Sequence, residues 1–166
     1  MADLNPRDRL QPFLIDRLVD DDAGSQKESR EKTVLSPLQL RASILRDIAW
    51  LFNTARPVEE DGLDEFPQVA NSVLNYGVPD LTGNTSTSVR AGDLERGFLK
   101  ALHIFESRLS RHGLVVQVKE DLAAPNVIAL TISGEILSNQ LPERMYIKTE
   151  VDLELGQVKL KETTSG

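Results

Sequence analysis

The longest amphipathic segment of the chain, 91–119, is typical of a helix that passes directly into a strand. Its apolar side chains recur at steps of three and four residues, which places them along one stripe of a helix: Leu94, Phe98, Ala101, Leu102, Phe105 and Leu109. Gly113 can adopt a positive φ, so it predicts the end of the helix. The following residues, 114–119, include three valines and predict a strand. A chain with this order of elements must pack a helix against a sheet.

Two charged residues, Glu106 and Arg108, flank this stripe near the end of the predicted helix. Residues two apart on a helix lie about 200° apart around its axis and do not face each other. The spacing therefore predicts that the two side chains do not pair and that each has a partner elsewhere.

A second helix is predicted over 36–53. Ser36 suits the N-cap, and Pro37 suits the first helical position. The buried stripe consists of aliphatic and aromatic side chains: Ile44, Leu45, Ile48, Leu51 and Phe52. Trp50, the only tryptophan, lies beside this stripe. It either half-covers the stripe or forms an exposed anchor for a partner.

The C-terminal third predicts strands. Apolar and polar residues alternate over 126–137 and again over 145–155, and Gly156 begins a tight turn into a last short strand. With 114–119 these segments predict an α+β fold, in which two main helices pack on one face of a small three- to four-stranded antiparallel sheet. If the strand over 145–155 lies at an edge of the sheet, its backbone is open for pairing with another chain.

The N-terminal third divides into a short apolar helix and a polar linker. Residues 10–19 have apolar side chains at helical spacing, and 20–32 are polar and mixed in charge. The short helix is either a docking peptide on a tether or a helix that folds back on its own domain. We expect a docking segment and linker over 1–33, one domain over 34–162 and a disordered tail over 163–166.

The middle of the chain, 54–90, is rich in loop signals. Its acidic stretch, 58–67, lacks the spacing of a calcium loop, so a solvated loop is favoured over a metal site. Val69, Val73 and Leu74 predict one or two helical turns, and the threonines and serines over 85–88 are N-cap candidates for the next helix.

Composition narrows the classes of function. The 166 residues contain no cysteine, which excludes disulfides and thiol chemistry, and the net charge of −7 argues against nucleic-acid binding. There is neither an apolar run of membrane-spanning length nor a signal peptide, so a soluble cytoplasmic protein is expected.

Motifs of catalysis are also missing from the sequence. His103 and His112 lack metal-ligand spacing, and no nucleophile elbow or phosphate-binding loop occurs. Glu106 and Glu135 could form a glycosidase-like pair of carboxylates, but nothing marks either as a general acid. The residues alone predict a small interaction module without an active site.

Three segments of the chain, in order, resemble the signature stretches of a known family: 45–54 (LRDIAWLFNT), 72–81 (SVLNYGVPDL) and 105–109 (FESRL). The family is TssE, the type VI secretion baseplate subunit, which is similar to the gene-25-like wedge protein of contractile phage tails. Residues 12–18 (PFLIDRL) also resemble the opening of that family. The chain departs from the family at Ser107, where proline is usual. A proline there would end the helix early, so the helix of this chain is expected to be straighter, or else to end nearer Leu102.

The resemblance implies a structural part of a contractile machine that has no enzymatic activity and no cofactor, although the family is often named lysozyme-like. It implies a sheet like the handshake domain of sheath subunits, and a cytoplasmic location at the baseplate docked on the inner membrane. It also implies a role in seating the first sheath ring and helping to start sheath assembly. The alternatives are a regulatory adaptor with the same fold and a peptidoglycan hydrolase.

The implied partners are the wedge subunits TssF and TssG, the baseplate subunit TssK and the sheath subunits TssB and TssC, without nucleic acid or membrane insertion. Glu106 and Arg108 would grip the wedge subunits, and the edge of the strand over 145–155 would pair with sheath chains. The other partner-binding residues expected are apolar or aromatic: Phe13, Leu14, Leu18, Tyr76, Met145 and Ile147.

Overall fold

The computed structural model describes residues 13–18, 36–57, 62–80, 91–120, 127–137, 143–152 and 156–162. The helices are α1 (Leu14–Leu18), α2 (Pro37–Phe52), α3 (Pro67–Ala70) and α4 (Ala91–Phe105), with a short 3-10 helix at Val73–Asn75. The strands are β1 (Val115–Glu120), β2 (Val127–Ile136), β3 (Glu143–Asp152) and β4 (Gln157–Glu162).

Two main helices and a four-stranded antiparallel sheet confirm the predicted α+β class. The helical turns expected in the middle of the chain are present as α3 and the 3-10 helix. The proposed linker, the N-cap candidates over 85–88 and the tail lie outside the described residues, as does part of the acidic stretch. The domain boundaries therefore stay predictions.

The sheet is a meander in which each strand pairs with the next, in the order β1-β2-β3-β4. Its register aligns Val116, Ile132 and Ile147 across three strands, and alternate residues of β2 are buried. The expectation that the strand of Met145 and Ile147 lies at an edge is wrong, because β4 turns back at Gly156 and pairs with the free side of β3. Among the described strands, the edges are β1 and β4.

Both main helices pack on the inner face of this sheet, α4 against β1 and α2 against β4. Ser36 caps α2 as predicted: its hydroxyl accepts a hydrogen bond from the N–H of Gln39, whose side chain accepts one from the N–H of Ser36. The two helices meet where the rings of Phe52 and Phe98 pack edge to face, with centroids 4.6 Å apart.

Helix α4 ends at Phe105, well before Gly113, so the prediction of a helix to residue 112 is wrong. The chain instead extends alongside the end of β2. The N–H of Ser110 donates to the carbonyl of Glu135 at 2.8 Å, and the N–H of Leu137 donates to that of Arg108 at 2.7 Å. Because these backbone groups bond to the sheet, they are not available to continue the helix. The outcome is close to the shorter helix considered from the sequence.

A loop before α4 is held tightly between α2 and α4. The N–H of Val78 donates to the carbonyl of Thr54, and the carbonyl of Val78 accepts from the N–H of Arg56, both at 2.9 Å. Gly77 has a φ of 130°, and a Cβ there would lie 2.4 Å from the carbonyl oxygen of Thr54, so only glycine fits. This loop places Tyr76 beside α4.

Candidate interaction site around Arg108

Arg108 is a buried arginine, 6% exposed, at the junction of α2, α4 and β2. Its Nε donates to Glu106 Oε1 at 2.7 Å, and its Nη2 donates to Glu106 Oε2 and to Asp47 Oδ2, the latter at 2.6 Å. Its Nη1 donates to Ser43 Oγ at 3.2 Å. The guanidinium therefore has carboxylate or hydroxyl partners on all three nitrogens, as a buried charge requires.

The prediction that Glu106 and Arg108 do not pair is wrong. Helix α4 ends at Phe105, so both residues lie in the turn that follows it, where the angular spacing of a helix no longer applies. The carboxylate of Glu106 folds over this turn and also accepts from the backbone N–H of Arg108 at 3.0 Å. The hydrogen bonds of the pair are thus made within the chain.

The electrostatics keep Arg108 charged. Burial by itself lowers the pKa of Arg108, but the hydrogen bond and charge of Glu106, followed by those of Asp47, outweigh burial and raise that pKa above its usual value. Both neighbouring carboxylates favour the charged guanidinium, so Arg108 stays charged.

The ion pairs continue outward along α2. Asp47 Oδ1 accepts from Arg46 Nε at 2.9 Å and Nη2 at 2.7 Å, and Arg46 Nη2 also donates to Asp16 Oδ1 at 2.6 Å. Burial lowers the pKa of Arg46, but the two carboxylates raise it by more. We call this set, Asp16, Arg46, Asp47, Glu106 and Arg108, the charge network.

The N-terminal segment reaches the same place. The ring of Phe13 lies over the guanidinium of Arg108 at 4.7 Å, and the N–H of Phe13 donates to Asp16 Oδ2 at 3.3 Å. The sequence left two interpretations of residues 10–19, and the described part, residues 13–16, folds back on its own domain. Docking of this segment on another protein stays a prediction.

A groove of about 440 Å³ lies beside the charge network. It is lined mainly by apolar and aromatic side chains: Phe13, Leu14, Ile15, Ile48, Trp50, Leu51, Tyr76 and Phe105. Trp50 is 48% exposed, with the guanidinium of Arg46 4.9 Å from its ring. This half-covered position agrees with one of the two alternatives predicted from the sequence, and the exposed face of Trp50 lines the groove.

Tyr76 and Phe105 close the other side of the groove, with rings packed edge to face and centroids 5.0 Å apart. Burial raises the pKa of Tyr76, and the negative charges of Asp47 and Glu106 raise it further. The phenol is therefore neutral over the physiological range and can act as a hydrogen-bond donor at the groove.

The structure brings together five of the predicted site residues: Glu106, Arg108, Phe13, Leu14 and Tyr76. Leu18 ends α1, and its side chain is outside the described part. Met145 and Ile147 are 2% and 1% exposed and belong to the core, so they form no binding surface. The alternation of apolar and polar residues predicts a strand, but it does not show which strands pair with it.

Sequence reasoning missed Asp47, Ser43 and Asp16. Ser43 and Asp47 are four residues apart beside the apolar stripe of α2, and Ser43 is also buried. A polar pair at helical spacing next to a buried stripe was the available signal, since buried polar groups need partners.

Among the described residues, no group of three or more histidine, aspartate or glutamate side chains is placed to hold a metal ion. None of the described helices is long and apolar enough to cross a membrane.

Comparison with known proteins gave one family. The model of baseplate wedge protein gp25 matches residues 38–141, which include both main helices, the loop of Tyr76 and the first two strands. Comparisons with curated proteins and with solved structures gave no match. The matched range covers more than half of the 166 residues and contains the charge network apart from Asp16. The chain therefore belongs to the family of baseplate wedge protein gp25 and has the structural, phage-baseplate-like role that this family implies.

Proposed function

We propose that this chain is the TssE-type baseplate component of a type VI secretion apparatus. In this role it joins the wedge subunits TssF and TssG to the first sheath ring of TssB and TssC, next to TssK, and helps to start sheath assembly. The observation that carries the proposal is the family match over 38–141, since that range contains the groove apart from the wall formed by residues 13–15, and all of the charge network except Asp16.

The geometry favours a structural role for Glu106. Both of its carboxylate oxygens accept from the guanidinium of Arg108, and one accepts from a backbone N–H as well. A general acid of a glycosidase must instead present a proton to the substrate from an apolar pocket. The carboxylate of Glu106 is bonded to an arginine, and this supports the function of a wedge component over that of a peptidoglycan hydrolase.

Arg108 supports partner binding indirectly. Its side chain bonds to α2 and to Glu106, and its backbone bonds to the end of β2, so it fixes the relative positions of the groove walls. The groove itself offers Trp50, Tyr76 and Phe105, the residue types that contribute most to binding at protein interfaces. The wedge subunits are proposed to contact this aromatic surface, while the charge network holds it in shape.

Co-expression with tagged TssF and TssG, followed by affinity purification, tests the proposal. The full chain is expected to co-purify with both, and with TssB and TssC when these are added. Trp50→Ala should lower the recovered amount at least tenfold, as expected for an aromatic anchor. Leu38→Ala is the matched control, because Leu38 is 78% exposed on the same helix and does not line the groove.

Failure of the full chain to co-purify with either wedge subunit would overturn the proposal. Full recovery of the Trp50→Ala chain would remove the groove from the proposed interface.

A further inference from the structure

The N-terminal segment forms one wall of the groove, and two of its residues contact arginines there. Phe13 covers the guanidinium of Arg108, and Asp16 pairs with Arg46. Each arginine also has Asp47 as a carboxylate partner, at 2.6 Å and 2.7 Å. Withdrawal of the segment therefore leaves neither guanidinium without an anionic partner, and the fold beneath can persist.

The docked segment is held by few interactions. Helix α1 has five residues, which is too short for a stable helix without tertiary contacts. Phe13, Leu14 and Ile15 remain 41%, 70% and 44% exposed although they line the groove. The polar contacts of the segment with the domain are one ion pair, whose Arg46 side chain is 35% exposed, and one cation–π contact, so a competing segment that makes both can exchange with it.

We infer that residues 13–16 are an internal ligand that a partner's helical turn of the same chemistry displaces. The incoming turn carries an aromatic side chain for the face of Arg108 and, three positions later, a carboxylate for Arg46. The inference rests on the proposed function only in taking the partner to be a wedge subunit.

Charge decides which kind of segment fits. Without Asp16 the charge network has two guanidiniums and two carboxylates, and the side chain of Arg46, 35% exposed, is the accessible cation. An acidic turn restores the ion pair that withdrawal of Asp16 breaks, whereas a basic turn meets a like charge. The aromatic lining of Trp50, Tyr76 and Phe105 then receives the apolar side of the incoming helix.

Exchange can be measured with a fluorescein-labelled peptide of residues 10–19, LQPFLIDRLV, as the probe. Its fluorescence anisotropy is followed with the full chain and with the full-length F13A/D16A variant. If the internal segment is docked nine-tenths of the time, only about one groove in ten is open, so the variant should bind the peptide about tenfold more tightly.

Three controls accompany the measurement. Circular dichroism and thermal unfolding of F13A/D16A check that it is folded. A peptide with alanine in place of its phenylalanine and aspartate should not bind. Adding Arg46→Ala to F13A/D16A should reduce the affinity at least tenfold, because the incoming carboxylate loses its cation.

The inference is overturned if F13A/D16A and the unsubstituted chain bind the peptide equally, if neither binds, or if the doubly substituted peptide binds as well as the original. Light scattering adds a further outcome that overturns it: a dimer of the unsubstituted chain that F13A/D16A converts to monomers would show exchange between copies of this chain and not displacement by a partner. Failure of wedge co-purification would overturn the proposed function alone, because the peptide measurement requires no wedge subunit.

Discussion

Glu106 accepts hydrogen bonds from both the backbone N–H and the guanidinium of Arg108, two residues further along the chain. This local pair is buried, and Nη2 of Arg108 also donates to Asp47 on a different helix. A turn of a few residues thus holds the end of α4 against α2. The stability of the domain is expected to depend on it.

Arg108→Ala should destabilise the domain by about 3–5 kcal/mol, because it leaves the carboxylates of Glu106 and Asp47 without their shared cation. Urea unfolding followed by Trp50 fluorescence measures the change. Arg96→Ala is the control: Arg96 is 74% exposed and pairs with Asp93, three positions before it, so a change below about 0.5 kcal/mol is expected. Equal changes in the two variants would contradict a stabilising role for the network.

Gly77→Ala should destabilise the domain by about 2 kcal/mol or more, because its φ of 130° is unfavourable for alanine and the new Cβ would meet Thr54 O at 2.4 Å. Gly92→Ala is the matched control in α4, where the nearest atom, Arg96 Nη1, is 3.5 Å from the Cβ position. Alanine has the higher helix propensity, but Gly92 is only the second residue of α4, so stability should rise by less than about 0.5 kcal/mol. Thermal unfolding of both variants tests this opposition in sign, and destabilisation of similar size in both would refute it.

Thr149→Val should stabilise the domain by about 1 kcal/mol. The hydroxyl of Thr149 is buried in the core, 2% exposed, and has no hydrogen-bond partner among the described residues. Valine has the same shape without this unmet polar group. Denaturant unfolding, compared with Thr131→Val on the outer face of the sheet, measures the difference. A loss of stability in Thr149→Val would show that the hydroxyl is satisfied.

Tyr76 should ionise above the ordinary tyrosine pKa of about 10, because burial and then the charges of Asp47 and Glu106 raise its pKa. Below pH 10 the phenol is neutral in both folded and unfolded chains, so it makes no contribution to the pH dependence of stability there. Above pH 10 the unfolded chain ionises first, and the free energy of unfolding falls as pH rises.

Absorbance at 295 nm, as the difference between the full chain and Tyr76→Phe, isolates this titration from that of Tyr146. A component that titrates at or below pH 10 would contradict the expected shift.

The sheet and the two main helices could be predicted because their signals are local. Ser36 and Pro37 mark the start of α2, and alternate burial along β2 follows the alternation of its residues. The end of α4 could not be predicted in this way, since Leu109 keeps the helical spacing while its backbone bridges to Ile136. That bridge is a tertiary contact, which overrides local periodicity.

The sequence predicted several residues of the candidate site, but it did not predict which of them contact each other. Arg108 was selected, but its partner Asp47 lies 61 positions away in sequence, and no spacing rule joins them. The position of β3 within the sheet likewise depends on where β4 pairs, which alternation along β3 does not encode.

The backbone and the side chain of Arg108 are bonded to different elements, and this affects how a force on one element reaches the other. Its carbonyl is bonded to Leu137 at the end of β2, and its guanidinium is bonded to Asp47 on α2. A load applied to α2 can therefore pass to the sheet through hydrogen bonds as well as through the apolar core: through Arg108 at the end of β2, and through Asn53, which bonds to the backbone of Val158 in β4. In a baseplate component that is loaded by its neighbours, these hydrogen bonds would let the helix and the sheet move as one body.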